Sequence, residues 1–426
     1  MLRTALFDVS FLRLNALLIS LGEPTYRATQ IYDAVLRHGA TDYSTITTLS
    51  AASRTRLSAS FSLHHAKIAH ESLASDGVIK LLVELGAKPV AEDVGAFSAT
   101  ALGIVAKSCG SIKEQEGSAI ARRVEAVLIP EGRRSTLCVS SQVGCSLACS
   151  FCHTGTQAMR GNVSASEIIG QVLIAQAKRP VTNIVFMGQG EPLLNWRNVS
   201  QAISVLTGKK HKGLAFPPRR VLISTAGVAP LIHKVATETP GVRLALSLHA
   251  PNDILRSRLM GVNVRWPLVE VMAACREFVK LRLAAVKDDD INDDNGDDDM
   301  DDLDEPRGQQ YNGTRRVRVS FEYVLLAGVN DSPREAAELA VLLNGWMPRA
   351  RLHAHVNLIP FNKWEGGVYN APTPHAVSAF ATVLKNEGFA TTVRRARGDD
   401  VGGACGQLKS SVESKSSLVR KTSSLS

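Results

Sequence analysis

Apolar positions recur at helical spacing near the start of the chain, in Phe11-Leu-Arg-Leu-Asn-Ala-Leu-Leu-Ile and again in Gln30-Ile-Tyr-Asp-Ala-Val-Leu. Thr48-Leu-Ser-Ala-Ala-Ser-Arg-Thr-Arg-Leu continues that pattern, so residues 1–90 read as a small helical domain. Lys80-Leu-Leu-Val-Glu-Leu and Val124-Glu-Ala-Val-Leu-Ile-Pro then open a β-rich stretch. From Thr136 onward two periods alternate. Strands are predicted at Thr136–Ser140, Asn183–Met187, Arg220–Thr225, Arg243–His249, Val317–Leu326 and His353–Leu358. Helices are predicted at Ser164–Lys178, Asn198–Thr207, Ala229–Thr237, Pro267–Leu283, Pro333–Gly345 and Pro374–Glu387. Such repetition predicts an α/β fold, a partial (βα)₆ barrel of parallel strands with crossover helices, spanning residues 124–408.

Three segments fall outside this order. Residues 91–123, Ser-, Gly- and Ala-rich between Glu92 and Ser118, read as an inserted loop and linker. Residues 287–313 contain an acidic low-complexity run that reads as a disordered excursion. Asp293, Gly296 and Asp297 hint at a calcium loop, but the regular ligand spacing ending in Glu is missing. Residues 409–426 are Ser- and Lys-rich and are expected to be disordered.

Composition changes the picture through charge. The net charge is +9, yet Asp288–Glu305 holds twelve acidic residues and no Lys or Arg, so the rest of the chain carries +21. A surplus of that size suits a polyanion such as nucleic acid, although solubility alone would also explain it. No apolar run approaches the ~20 residues needed to span a bilayer. With mean hydropathy near zero, the chain reads as a soluble cytoplasmic protein, with an organellar location left open. The first residues look faintly like a targeting peptide, but helical periodicity from Phe11 leaves little to cleave.

Seven cysteines, an odd number, do not read as a disulfide framework. Three of them crowd into Gly144-Cys-Ser-Leu-Ala-Cys-Ser-Phe-Cys-His, a C-x₃-C-x₂-C spacing directly after a predicted strand. Thiolates of Cys145, Cys149 and Cys152 on one tight loop can ligate three irons of a [4Fe–4S] cubane and leave the fourth open. An open iron can chelate the amino and carboxylate groups of S-adenosylmethionine. Zinc is the competing reading, but it would want a fourth ligand, and His153 is awkwardly adjacent to Cys152.

The same spacing is the radical-SAM superfamily signature. The longer string Leu137-Cys-Val-Ser-Ser-Gln-Val-Gly-Cys-Ser-Leu-Ala-Cys-Ser-Phe-Cys resembles the RlmN/Cfr family of RNA adenine methyltransferases. Phe186-Met-Gly-Gln-Gly-Glu-Pro-Leu-Leu-Asn, Leu246-Ser-Leu-His-Ala-Pro-Asn-Asp, Val356-Asn-Leu-Ile-Pro-Phe-Asn and Arg397-Gly-Asp-Asp-Val-Gly-Gly-Ala-Cys-Gly-Gln-Leu agree with it. The resemblance runs from about residue 8 to Leu408 apart from the two insertions. Gly190, Glu191, Ser224, Ser247, Leu248, His249 and Asn357 fall at or near the C-terminal ends of predicted strands, where βα barrels build active sites. Singly, each could be a turn glycine, a helix cap or a structural histidine. The resemblance implies that together they contact S-adenosylmethionine.

Two further cysteines acquire roles only through the resemblance. It implies that Cys405 takes a methyl group from one S-adenosylmethionine and that a radical from a second activates that methyl for addition to adenine. Cys138 then releases the product through a transient disulfide. Glu125, which by itself reads as a solvated strand carboxylate, matches the family's candidate base for the ring proton. Cys109 and Cys275 keep the ordinary reading of small buried hydrophobes. Arg394, Arg395 and Arg397 read equally well as phosphate contacts and as surface charge, and Arg27, Arg37, Arg54 and Arg56 offer an RNA platform on the helical domain.

The implied reaction is methylation at carbon 2 of an adenine in 23S-type ribosomal RNA, with transfer RNA open as a second substrate. A flavodoxin or ferredoxin is implied as electron donor, no membrane partner is expected, and a monomer is. Carbon-8 methylation by the same route, a non-catalytic iron–sulfur RNA-binding factor and a zinc-binding structural module are the alternatives.

Overall fold

The computed structural model describes residues 3–63, 66–86, 122–289 and 317–409. Expectations for the insertion at 92–118, for Cys109, for the acidic run from residue 290 and for the tail beyond Lys409 lie outside the described residues.

Three helices, α1 (Phe11–Ser20), α2 (Tyr26–Leu36) and α3 (Ala51–Ser60), form the N-terminal unit. Ser10 and Ser50 cap α1 and α3 by accepting from Arg13 N and Ser53 N, the usual satisfaction of orphan first-turn donors. Leu14, Leu18, Ile31, Val35 and Leu57 turn inward and are buried around Phe7 and Tyr32. The unit docks on the rest of the chain through Phe7 N to Ser166 Oγ at 2.9 Å and Ser166 N to Asp8 Oδ1 at 2.8 Å.

The main sheet has ten strands: β1 (Lys67–Leu73), β2 (Ile79–Glu84), β3 (Arg123–Glu131), β4 (Arg134–Cys138), β5 (Asn183–Phe186), β6 (Val221–Thr225), β7 (Arg243–Ser247), β8 (Val319–Leu325), β9 (Ala354–Pro360) and β10 (Ala390–Val393). They lie side by side in chain order, antiparallel from β1 to β4 and parallel from β4 to β10. The crossovers between parallel strands carry α4 (Ala165–Gln176), α5 (Trp196–Thr207), α6 (Ala229–Glu238), α7 (Asp253–Leu259), α8 (Leu268–Asp289), α9 (Pro333–Trp346) and α10 (Pro374–Asn386). Sequence signals explain where these begin. Ser164 and Glu167 close a capping box on α4, Ser332 and Glu335 close another on α9, and Thr373 with Pro374 starts α10.

The six predicted parallel strands are β4 to β9, each within a few residues of its predicted limits. Two differences concern the edges. β1, inside the span read as helical, extends the barrel sheet instead by pairing with β2, the start of the stretch read as β-rich, where Leu81 and Val83 alternate into the core. β10 carries Thr391 and Thr392 rather than an apolar run, and so gave no buried-strand signal. No helix among the described residues is long and apolar enough to cross a membrane.

Candidate functional site

Beyond Cys138 the chain leaves β4 and folds Cys145–Cys152 into a loop over the C-terminal mouth of the sheet. Gly144 sits at φ +81°, and a Cβ there would lie 2.3 Å from the carbonyl oxygen of Ala158. Ala148 also adopts a left-handed conformation, φ 47°, between the first two cysteines. Cys152 N donates to Cys149 O at 3.1 Å and Gly155 N to Cys152 O at 3.0 Å, which tightens the second half of the loop. From outside, Ser150 N donates to Leu259 O at 3.0 Å, Trp364 Nε1 to Phe151 O at 3.1 Å and His153 N to Gly406 O at 2.8 Å.

The three thiols are half-buried against the main core beside Leu147 and Phe151. Burial and their mutual proximity push them up, Cys145 to about 12 and Cys149 well above the ordinary thiol range, so each resists becoming a thiolate without a cation. A metal cluster provides that cation. No three His, Cys, Asp or Glu side chains among the described residues converge on one ion. Three thiolates that each take a different iron of a cubane do not need to. His153 is stacked on Trp364 at 4.5 Å and 8°, with Nδ1 3.2 Å from Gln407 O. The donor set fits the cluster.

Next to this loop the strand ends supply a polar rim. Gly190, φ +94°, has its α-carbon so close to Gln142 that a Cβ would meet the Gln142 Cβ at 2.4 Å. Glu191 is buried and accepts from Leu193 N at 3.0 Å and Ala226 N at 2.7 Å, while desolvation lifts its pKa to about 7. Ser224 lies on β6 one residue before its end. His249 is buried at φ 58°, packs edge-on against Phe151 at 4.8 Å, and accepts from Val324 N through Nδ1 at 2.9 Å. That bond places the ring proton on Nε2, and burial lowers the pKa to about 3, so the ring is a neutral donor. Ser247, Glu322, Asn357 and Thr392 stand in one register row across β7 to β10. Within that row Asn357 Nδ2 donates to Glu322 Oε2 at 2.8 Å and Thr392 Oγ1 to Asn357 Oδ1 at 3.1 Å.

Cys138 and the segment bearing Cys405 come from opposite ends of the barrel sequence and are brought together: Cys138 packs in one buried cluster with Val401 and Leu408. The two cysteines are close enough that charge on Cys405 raises the Cys138 pKa, which burial already pushes to about 12 and Arg394 opposes; Cys152 feels the same Cys405 charge. Among the described residues every cysteine is a free thiol. The Cys405 loop is tied down by Asn362 Nδ2 to Cys405 O at 3.1 Å, Thr154 Oγ1 to Leu408 O at 2.8 Å and Gln407 Nε2 to Lys363 O at 2.9 Å. Glu125 is not a solvated strand carboxylate. It is 3% exposed, pairs with Lys80 at 2.9 Å and accepts from Lys409 N at 2.8 Å.

Several arginines read as RNA contacts are engaged within the chain. Arg27 and Arg56 both pair with the buried Glu23, at 3.3 and 2.6 Å, and Arg37 pairs with Asp33 at 3.2 Å. Arg397 donates to Asp76 at 2.7 Å and to Pro130 O at 2.9 Å, which locks the Cys405 loop to the β1–β2 turn. Arg395 is exposed.

Sequence reasoning missed Arg256 and Glu322. Arg256 is 0% exposed and donates to Leu248 O, Ala226 O, Ser247 O and Asn263 Oδ1. Nothing in the helical pattern of α7 distinguishes it from a surface arginine. Glu322 did have a signal: a lone acid inside the apolar parallel strand Val319-Ser-Phe-Glu-Tyr-Val-Leu.

A parallel partial barrel with C-x₃-C-x₂-C on the loop after its first parallel strand defines a radical-SAM enzyme, and the Radical SAM superfamily model matches residues 139–297. The model for the ribosomal RNA large subunit methyltransferase N-terminal domain matches residues 4–63. The dual-specificity RNA methyltransferase RlmN of Beijerinckia indica subsp. indica is 36% identical over 91% of this chain and 87% of its own length. That of Marinobacter nauticus is 34% identical over 95% of this chain and 92% of its own. The crystal structure of a radical SAM methyltransferase from Sphaerobacter thermophilus superposes with a TM-score of 0.75 at 34% identity, covering 96% of this chain and all of that one. The chain belongs to the RlmN family of radical-SAM RNA methyltransferases.

Proposed function

We propose that this protein methylates carbon 2 of an adenine in 23S-type ribosomal RNA, and an adenine of transfer RNA as well, by way of a methyl group carried on Cys405. The observation that carries the reading is that Cys138 packs in one buried cluster with Val401 and Leu408, on either side of Cys405, close enough that Cys405 charge acts on both Cys138 and Cys152. The dual specificity for which the relatives are named supports two RNA substrates.

When bound by Cys145, Cys149 and Cys152, the [4Fe–4S] cluster supplies the electron that splits S-adenosylmethionine and yields a deoxyadenosyl radical. Gly190, Glu191, Ser224, Ser247, Leu248, His249 and Asn357 hold that molecule at the strand ends, with His249 offering its Nε2–H. Cys405 sulfur takes a methyl from one S-adenosylmethionine: the new S–C bond replaces the sulfonium bond, and the thiol proton leaves. Loss of a hydrogen atom from that methyl to the radical from a second S-adenosylmethionine leaves a carbon radical on Cys405, which bonds to carbon 2. The adduct radical then gives up one electron to the flavodoxin- or ferredoxin-type carrier and its ring proton to Glu125. Cys138 attacks the Cys405 sulfur; the S–C bond breaks, its electron pair stays on carbon, and a proton completes the methyl group. The resulting disulfide returns to two thiols by taking two electrons from an external reductant. The adenine must be unstacked for its ring edge to reach this mouth.

Anaerobic reconstitution with S-adenosylmethionine, a flavodoxin-type reductant and ribosomal RNA, followed by nucleoside mass spectrometry, should give 2-methyladenosine. Product only at carbon 8, or none, overturns the reading. Cys138→Ala should accumulate a protein–RNA adduct.

A further inference from the structure

Lys80 lies on β2, outside every motif that suggested the function, yet its ammonium reaches into the site. In the antiparallel ladder Lys80 stands opposite Val127 and Leu82 opposite Glu125, so Lys80 and Glu125 are diagonal neighbours on one face. The Lys80 Nζ is 2.9 Å from Glu125 Oε1 and donates to Gly402 O at 3.1 Å. Gly402 belongs to the loop that presents Cys405. The other carboxylate oxygen of Glu125 accepts from Lys409 N at 2.8 Å, just after that same loop. The side chains of Lys80 and Glu125 are only 17% and 4% exposed, so solvent screens little of their interaction.

We propose that Lys80 is a positioning residue that keeps Glu125 ionised for proton removal and ties it to the loop bearing Cys405. The proposal rests on the reading of Glu125 as the base. Burial keeps the Glu125 pKa above its ordinary value, and the neighbouring ammonium is the chief opposing influence. The ionisable groups around the pair are few. Lys80 faces Glu125 from β2, Lys409 contributes a backbone amide from the C-terminal segment, and His153 of the cluster loop is the other group whose titration feels Lys80. Without Lys80, Glu125 would hold its proton to higher pH, leaving less of it able to accept one from adenine. A tether also makes mechanical sense: base and methyl carrier must approach the same ring carbon, one from a strand and one from a loop.

The test compares single-turnover methylation across pH for full-length wild type, Lys80→Met, Lys80→Arg and Glu125→Gln, each loaded with its cluster. Lys80→Met should shift the acidic limb of the profile up by at least one pH unit, about tenfold in rate at a given pH on that limb, with recovery as pH rises. Lys80→Arg, which keeps the charge, should retain the wild-type limb. Infrared titration of the cluster-free chain, with the Glu125 band assigned by its loss in Glu125→Gln, should show the same upward shift in Lys80→Met. A Glu125→Gln enzyme as active as wild type overturns the base reading. Loss of activity in Glu125→Gln together with an unshifted limb and infrared band in Lys80→Met overturns the Lys80 proposal alone, as does a pH-independent loss in Lys80→Met.

Discussion

Glu191 and Arg256 grip the two backbone polar groups of one residue: the carboxylate accepts from Ala226 N and the guanidinium donates to Ala226 O, each at 2.7 Å. A buried acid and a buried base thus meet through a strand end rather than through each other. Ala226 directly follows β6, and Arg256 also holds Ser247 and Leu248 at the end of β7. Two adjacent strand ends are thereby fixed where the small-molecule substrate is proposed to bind.

Arg256→Met should therefore cost about 3 kcal/mol or more, since it leaves several buried acceptors unpaired at about 1–3 kcal/mol each. Denaturant unfolding of the cluster-free chain measures this. A loss under 1 kcal/mol would mean that the carbonyls find other donors.

Glu191 gives a pH signature. Its pKa rises from 4.5 to about 7 in the folded chain, so folding favours its protonated form. Its stabilisation is complete below 4.5 and is lost as pH climbs through about 7. The stability difference between wild type and Glu191→Gln should fall across that window and level off above it. A difference that is flat with pH would contradict the shift.

His249 should stay neutral, with its proton on Nε2, throughout pH 5–8, because Val324 N occupies Nδ1 and burial holds the pKa at about 3. Nitrogen-15 NMR of labelled histidine reads both tautomer and titration. A midpoint near 6.5 would sink this assignment.

Gly144→Ala should fold but bind iron poorly. The added Cβ would press on the Ala158 carbonyl at a backbone φ of +81°, and relief requires the start of the cysteine loop to move. Far-UV circular dichroism should match wild type, while iron content after reconstitution drops severalfold. Full iron loading would show that the loop accommodates the methyl group.

The Cys145–Cys149–Cys152 spacing and the six parallel strands with their crossover helices were legible because each is a local code: spacing and period act within a dozen residues. The neutral, Nε2-protonated state of His249 was not. It depends on Val324 N, which reaches Nδ1 only because β7 and β8 pair in parallel with one register. β1, inside the helical span, was also obscured, since its residues are almost all exposed and show no apolar alternation.

By itself, then, the sequence determined the barrel, the cluster-type loop and the family, all carried by contiguous patterns. Only the tertiary structure decided that Cys138 packs against the segment flanking Cys405, that Glu125 is buried against Lys80 and the C-terminal segment, and that Arg256 turns inward among strand-end carbonyls. Charge pairing and desolvation depend on distance in space, and a linear pattern does not record which distant segments will share a low-dielectric pocket.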